Sequence, residues 1–147
     1  MADVVDKETR SRMMAGIRGR DTKPEITVRK FLHKSGFRFR LSPADIVGKP
    51  DIVLPRYKTV ILVHGCYWHR HPGCRFATMP KTNTAFWKNK FDSNVLRDDF
   101  VRKQLKKIGW KVFVIWECQV NEKRLGLLSN RIKAVLAKTE FCCLERE

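Results

Sequence analysis

The sequence contains no apolar run that approaches the roughly 20 residues needed to cross a bilayer as a helix. Residues 1–8 also lack the hydrophobic segment of a secretory signal peptide. No internal repeat or low-complexity segment is visible, and proline and glycine are too scattered to form a linker. These absences argue against a membrane-spanning, secreted or modular protein. We therefore expect one cytoplasmic domain without membrane partners.

Acidic residues are scarce, with 15 Asp and Glu against 31 Lys and Arg and a net charge of +16. Basic residues outnumber acidic ones about two to one both before and after Pro50, so the charge is not a detachable tail. Nucleic acid is the leading partner, because each neutralised phosphate releases condensed counterions. An incidental charge or binding to an anionic membrane surface are the alternatives.

Helical and strand patterns alternate along the chain and indicate an α/β or α+β unit. Helices are predicted over 7–18, 23–35, 86–108 and 122–138, and strands over 37–41, 51–54, 59–63 and 111–116. The strand over 59–63 is apolar throughout, which predicts a central strand covered on both faces. The third helix is predicted to bury one stripe, on which Asp98 also falls: Phe91, Val95, Val101, Leu105 and Ile108.

An irregular segment over 64–85 begins with two thiols, three imidazoles and two aromatic rings in eleven residues. Within it, Cys66, His71 and Cys74 have the short separations that let one loop wrap a zinc ion. A tetrahedral structural site needs a fourth ligand, and Cys118, just after the last strand, is the natural candidate. The alternatives are buried hydrophobic cysteines, or disulfides, which an odd total of five suits less well.

A closed zinc site leaves no open position for a reaction, so any chemistry must lie elsewhere. Asp51 opens one predicted strand, and the neighbouring strand ends at His64, with His69 a few residues further on. A lone histidine is more often structural, but a nearby carboxylate favours a reactive site. Proline and aspartate opening a short strand are typical of the metal site of restriction-endonuclease-like nucleases. The second strand departs from that pattern, because it ends in histidine and carries neither carboxylate nor lysine there.

Several segments together are similar to the very-short-patch repair (Vsr) endonucleases. The likeness covers about residues 5 to 120, and the segment over 64–74 is its most specific part. Tyr67 stands where a phenylalanine is usual in that family. The matching segments are 10–11, 14, 17, 21–25, 48–53, 63–74, 86–87, 94–98 and 109–118.

The resemblance implies a restriction-endonuclease-like core with a central mixed sheet flanked by helices and a structural zinc loop. Residues 21–147 would form this single nuclease domain, and 1–20 a basic arm or helix that contacts DNA. The implied activity is a nick on the 5′ side of the thymine in a T:G mismatch that deamination of 5-methylcytosine leaves in duplex DNA. The implied setting is a bacterial nucleoid, with a monomer acting beside the general mismatch-repair machinery.

The resemblance also implies a catalytic magnesium ion. Asp51 would be its direct ligand, helped by the backbone carbonyl of Val63, while Glu25 would contact its hydration shell. His69 would be the general base for water, and His64 would stabilise the phosphate or the leaving group. Asp98 would hold one of the two imidazoles in the right tautomer, or, on the alternative interpretation, form a buried ion pair.

Aromatic and apolar residues complete the implied DNA contacts. Rings on an irregular loop can enter a base stack, and an apolar wedge can enter from the opposite groove while arginines contact phosphates. The alternative is that the tryptophans fill the core and the arm is solvated. The implied DNA-binding residues are Tyr67, Trp68, Trp87, Met14, Ile17, Arg12 and Arg18.

Two other functions fit the same residues. One is a restriction-type nuclease of this fold that acts on matched DNA, and the other is a basic DNA-binding module without catalysis. The second would leave Asp51 and His69 without a reaction to perform. The sequence gives no role to Cys142 and Cys143.

Overall fold

The computed structural model describes residues 6–15 and 21–144, with four strands and four α-helices in those ranges. The side chains of residues 10, 13–15 and 137–144 lie outside the description. In chain order the elements are α1 (Lys7–Ala15), α2 (Lys23–Lys34), β1 (Arg40–Leu41), β2 (Ile52–Leu54), β3 (Thr59–His64), α3 (Thr84–Lys107), β4 (Lys111–Trp116) and α4 (Glu122–Leu144). No helix in these ranges is long and apolar enough to span a bilayer.

The four strands form one mixed sheet in the order β1-β2-β3-β4. β1, β2 and β3 pair antiparallel, whereas β3 and β4 pair parallel and are joined by a crossover that contains α3. All six residues of β3 are buried, as the apolar run predicted. The antiparallel register sets Ile52 opposite Ile61, so the residue before β2 lies beside the end of β3.

Helices cover both faces of the sheet because alternate strand residues point to opposite faces. Ile61 belongs to a core cluster that includes residues of α2 and α4, among them Leu32 and Ile132. Val60 belongs to a second cluster, which it shares with Leu105 of α3. The predicted α/β architecture, a central mixed sheet flanked by helices, is confirmed.

The sequence-based prediction was wrong about the length of one strand and about two residues of the buried helix stripe. Only Arg40–Leu41 of the predicted strand over 37–41 forms a strand, because only these two residues pair with β2. Phe37 instead packs into the hydrophobic core. Val95 and Ile108 are exposed, although they were assigned to the buried stripe of α3. The sheet core meets α3 in its C-terminal half, at Val101 and Leu105, and Ile108 lies beyond the last helical residue.

Candidate active site and metal centre

The end of β3 and the start of β2 meet at one edge of the sheet. An Asp51 carboxylate oxygen accepts a hydrogen bond of 2.8 Å from the Val63 backbone N–H. Burial, and then the negative charge of Glu25, raise the pKa of Asp51 to about 6, against the effect of that hydrogen bond. A cation beside Asp51 would stabilise its charged carboxylate form.

A cleft of about 860 Å³ opens at this edge. It brings together five side chains that the sequence analysis assigned to catalysis, which lie far apart along the chain. Aromatic, amide and basic side chains contribute to its walls. Its lining includes Glu25, Asp51, Val63, His64, Trp68, His69, Asn94, Arg97 and Asp98.

Two histidines and one carboxylate in the cleft, His64, His69 and Asp98, have ligand atoms within 4.8 Å of one another. His69 Nδ1 lies 2.6 Å from Asp98 Oδ2. The rings of His64 and His69 are stacked, with centroids 4.0 Å apart and planes 5° from parallel. Burial, and then the charge of His69, lower the pKa of His64 to about 4. His64 is therefore neutral near pH 7, while Asp98 orients the ring of His69.

Glu25 reaches the cleft from the first turn of α2. The Thr22 side chain caps this helix by accepting a hydrogen bond from the Glu25 backbone N–H. The Glu25 side chain is buried, and its carboxylate accepts hydrogen bonds from the Asp21 N–H at 2.9 Å and from Arg29 at 3.1 Å. Arg29 thus balances the charge of Glu25, the acidic group near Asp51, which was not expected from the sequence.

The second group lies on the other side of the same loop. The donor atoms of Cys66, His71, Cys74 and Cys118 all lie within 4.8 Å of one another. His71 Nδ1 is 3.7 Å from Cys66 Sγ and 3.3 Å from Cys118 Sγ, and the Sγ atoms of Cys74 and Cys118 are 4.0 Å apart. A tetrahedral zinc with bonds of about 2.0–2.3 Å would separate its ligands by roughly 3.3–3.8 Å. The cluster could therefore hold a metal ion.

The environments of the thiols also suit a cation. Burial raises the pKa of Cys66 to about 12, so its thiolate needs a positive partner. The backbone N–H of Phe76 lowers the pKa of Cys74. The ring of His71 is stacked on Trp116, with centroids 4.3 Å apart, which holds the imidazole in place.

Four aromatic rings pack together and form an aromatic cluster of Tyr67, Trp68, Trp87 and Phe91. The buried Phe91 of α3 contacts Tyr67 at 5.2 Å, Trp68 at 6.4 Å and Trp87 at 5.7 Å between ring centroids. Tyr67, Trp68 and Trp87 are half-buried, so they are neither fully in the core nor fully free. The Asn94 side chain donates a hydrogen bond of 3.1 Å to the Trp68 carbonyl and joins α3 to the loop.

The predicted N-terminal contacts lie only partly within the description. Arg12 is exposed on α1. Met14 belongs to α1, but its side chain is not among the parts that the structure describes. Ile17 and Arg18 lie outside the described residues. Cys142 and Cys143 belong to α4, and their side chains are likewise outside the description.

Sequence reasoning gave no role to three side chains that organise the site, Arg29, Arg70 and Asn94. Arg29 follows Glu25 by one helical turn, a spacing that predicts an ion pair and could have been noticed. Arg70 lies between two histidines with different partners, but its contacts join segments whose proximity the sequence does not reveal. Asn94 stands in a matched motif, and nothing in the motif indicates a bond to Trp68.

Comparisons with known proteins identify the relatives of this chain. A family model described as DNA mismatch endonuclease Vsr matches residues 2–75. A Neisseria meningitidis protein named Type II nicking enzyme V.NmeAIP is 46% identical over 138 residues, which cover 90% of this chain and 98% of the relative. A Xanthomonas oryzae protein named Type II nicking enzyme V.XorIIP is 40% identical over 136 residues, covering 92% and 98%.

DNA mismatch endonuclease Vsr of Escherichia coli is 43% identical over 118 residues, which cover 80% of this chain and 75% of the relative. The family model and the Escherichia coli relative are described as DNA mismatch endonucleases, and the Neisseria meningitidis relative as a nicking enzyme. The chain belongs to the Vsr family of DNA mismatch endonucleases.

Proposed function

We propose that the protein is a magnesium-dependent endonuclease that nicks DNA on the 5′ side of the thymine in a T:G mismatch and so initiates very-short-patch repair. The observation that carries the proposal is the cleft itself. It joins Asp51 to a paired histidine and carboxylate, and Trp68 of the aromatic cluster lines the same space. A hydrolytic centre and a stacking surface therefore share one opening.

His69 is the general base in this proposal. Its Nδ1 is held by Asp98, so Nε2 is left to accept a proton from water. Asp98 sets the tautomer and stabilises the positive charge that the ring gains with the proton. An isolated ion pair would not require the histidine to line an open cleft. This arrangement supports a reaction more than a purely structural contact.

Magnesium fits the oxygen donors of the cleft. Asp51 and the Val63 carbonyl would hold the ion, and Glu25 would contact its hydration shell, since magnesium keeps several waters. The raised pKa of Asp51 supports this assignment, because a neighbouring cation would favour the charged carboxylate. When bound, the ion would neutralise the charge that develops on the phosphate. His64, neutral near pH 7, would donate a hydrogen bond to the phosphate or the leaving group.

The Cys66, His71, Cys74 and Cys118 cluster would hold zinc. Four protein donors would complete a tetrahedral shell and leave no position for water, so the ion would be structural. Its role would be to fold the loop that carries His69 and Trp68. The adjacent positions of these residues in the loop support this division of labour.

Mismatch recognition would occur by stacking of Tyr67, Trp68 and Trp87 into the duplex. A wobble pair differs little from a normal pair at its edges, whereas opening a base step costs least where pairing is already weak. Met14 and Ile17 would form an apolar wedge from the opposite groove. Arg12 and Arg18 would contact phosphates, in agreement with the net charge of +16.

A single cleft is sufficient for a single nick, which is why we infer a monomer acting on one strand. Type II nicking enzymes among the relatives support cutting of one strand. A restriction-type enzyme of the same fold would need two cleavage events and would act on matched DNA. The general mismatch-repair machinery remains an expected further partner.

The decisive experiment is cleavage of end-labelled duplexes of one sequence that carry each mismatch or none. We expect nicking 5′ of the thymine to be much faster in T:G than in the other duplexes, with added magnesium and not without it. Magnesium should be omitted first, since a chelator would also remove zinc. Equal cleavage of matched duplex would favour the restriction-type enzyme, and unaltered binding without any cleavage would favour a binding module.

A further inference from the structure

Arg70 lies between two histidines that have different partners. His69 Nδ1 is 2.6 Å from Asp98, whereas His71 Nδ1 is 3.3 Å from Cys118 Sγ. The backbone of Arg70 has φ +54°, in the left-handed region that residues other than glycine rarely adopt. This turn sends two nearly adjacent side chains to two separate groups.

The guanidinium of Arg70 joins three backbone carbonyls. It donates hydrogen bonds to Tyr67 at 3.2 Å, to Ala77 at 2.9 Å and to Thr78 at 2.9 Å. Tyr67 precedes Cys74 along the chain, whereas Ala77 and Thr78 follow it. A planar fork of donors can serve several carbonyls at once, which a single ammonium cannot do in the same geometry.

The same guanidinium also lies over aromatic rings. Its central carbon is 4.2 Å from the ring centroid of Phe91 and 5.9 Å from that of Tyr67. Phe91 in turn packs against Trp68 and Trp87. One half-buried side chain therefore connects the Cys/His loop, the aromatic cluster and α3.

We propose that Arg70 is the positioning residue for mismatch discrimination, because it holds Tyr67 and Trp68 in a single arrangement against α3. This inference rests on the proposed function. Inserted rings distinguish weak pairing from normal pairing only if they enter as a preorganised unit. Mobile rings lose ordering entropy at every duplex and adapt to more than one step.

Two variants separate the side chain from the backbone turn. Arg70→Lys keeps the charge and the backbone preference of an L-residue but loses the fork. Arg70→Gly keeps the left-handed turn, which suits glycine, and removes the side chain. Arg75→Ala is the matched control, because Arg75 lies in the same loop, is exposed and stacks over Phe76 at 4.8 Å.

The measurement is the ratio of kcat/KM for T:G duplex to that for T:A duplex, on zinc-loaded, folded protein. We expect Arg70→Lys and Arg70→Gly each to lower this ratio roughly tenfold, the scale of coupling through packed contacts. The loss should appear in KM for the T:G duplex, since the contact between His69 and Asp98 stays intact. The fluorescence change of 2-aminopurine beside the mismatch should fall in parallel, and Arg75→Ala should keep the ratio.

The outcomes distinguish this inference from the function on which it rests. A wild-type protein without preference for T:G would contradict the proposed function itself. If the wild type prefers T:G and both Arg70 variants keep that preference, the positioning role is wrong. Retention by Arg70→Gly alone would assign the effect to the backbone turn and overturn the role of the side chain. A loss that only follows lost zinc would show a purely structural residue.

Discussion

The Cys/His cluster and the open cleft share one loop, and they differ in their donor atoms and in their access to solvent. His71 faces sulfur atoms at 3.3 and 3.7 Å, in a group whose four donors already lie at the spacing of ligands around one ion. His69 faces a carboxylate at 2.6 Å in an open cleft of about 860 Å³. The first group is closed by protein donors, and the second leaves room for a substrate.

This difference indicates how one loop can combine rigidity with reactivity. Buried groups that satisfy one another stabilise the fold, whereas buried charges without a full set of partners cost free energy until a ligand arrives. Cys66 belongs to the first kind if zinc is present, and Asp51 belongs to the second. Disturbing the two regions separately should therefore change stability in one case and activity in the other.

The largest effect should follow loss of the metal cluster. Cys118→Ala removes one of four donors, and structural zinc commonly supplies about 10–16 kcal/mol of apparent binding free energy. We expect the free energy of unfolding, measured with urea, to fall by more than about 5 kcal/mol, with loss of bound zinc. Cys142→Ala should leave both unchanged. Wild-type protein that is purified without chelator and contains no zinc would contradict the assignment.

Substitutions in the cleft should break activity while leaving the fold. His69→Ala should lower the single-turnover nicking rate by about 10² to 10⁴ while duplex binding is largely retained, because a general base acts only in the reaction. Asp51→Ala should abolish nicking in the same way. His33→Ala is the control, since His33 is an exposed histidine at the end of α2. Near wild-type turnover of His69→Ala would transfer the role of base to another group.

The aromatic cluster, which includes Trp68 of the cleft wall, allows a sharper comparison. Phe91 is buried, so Phe91→Ala should cost about 3–5 kcal/mol of stability. Trp68 is only half-buried, and Trp68→Ala should cost clearly less while abolishing the preference for T:G over T:A duplex. Thermal unfolding and competitive duplex binding measure the two effects. A strongly destabilised Trp68→Ala protein with unchanged preference would refute stacking into the duplex.

The smallest effect should be a gain in stability when the charge of Asp51 in the cleft is removed. The pKa of Asp51 is raised to about 6 from 3.8, mainly by burial, so the native state binds the proton more tightly than the unfolded state. Its stabilising contribution is complete below the unfolded value and is lost as the pH rises through 6. Without added magnesium, Asp51→Asn should therefore be more stable than wild type at neutral pH by about 3 kcal/mol.

The same comparison at acid pH supplies the check. Below the unfolded pKa of 3.8 both proteins carry a neutral group at this position, and their melting temperatures should converge. Added magnesium should raise the melting temperature of wild type and not that of the variant. A constant difference across the whole pH range would show that the charge of Asp51 is not its cause.

Local sequence patterns were sufficient to predict much of the fold. The capping residues around Thr22, the apolar run of β3 and the β-branched and aromatic residues of β4 depend on neighbours along the chain, so they could be recognised without coordinates. The short β1 and the exposed Val95 could not be anticipated, because both depend on where a distant element packs. Periodicity specifies a helix face but not how far along the helix the sheet extends.

The composition and spacing of residues established a basic α/β protein with a Cys/His segment, a strand-opening aspartate and a likeness to one nuclease family. The sequence gives residue types and short separations directly. A loop of nine residues keeps Cys66 and Cys74 close together regardless of how distant elements pack. Only tertiary structure decided that Asp98 pairs with His69 and not with His64, and that Arg70 joins the loop to the aromatic cluster. These contacts join residues 29 and 21 positions apart, and their geometry depends on how α3 packs against the sheet.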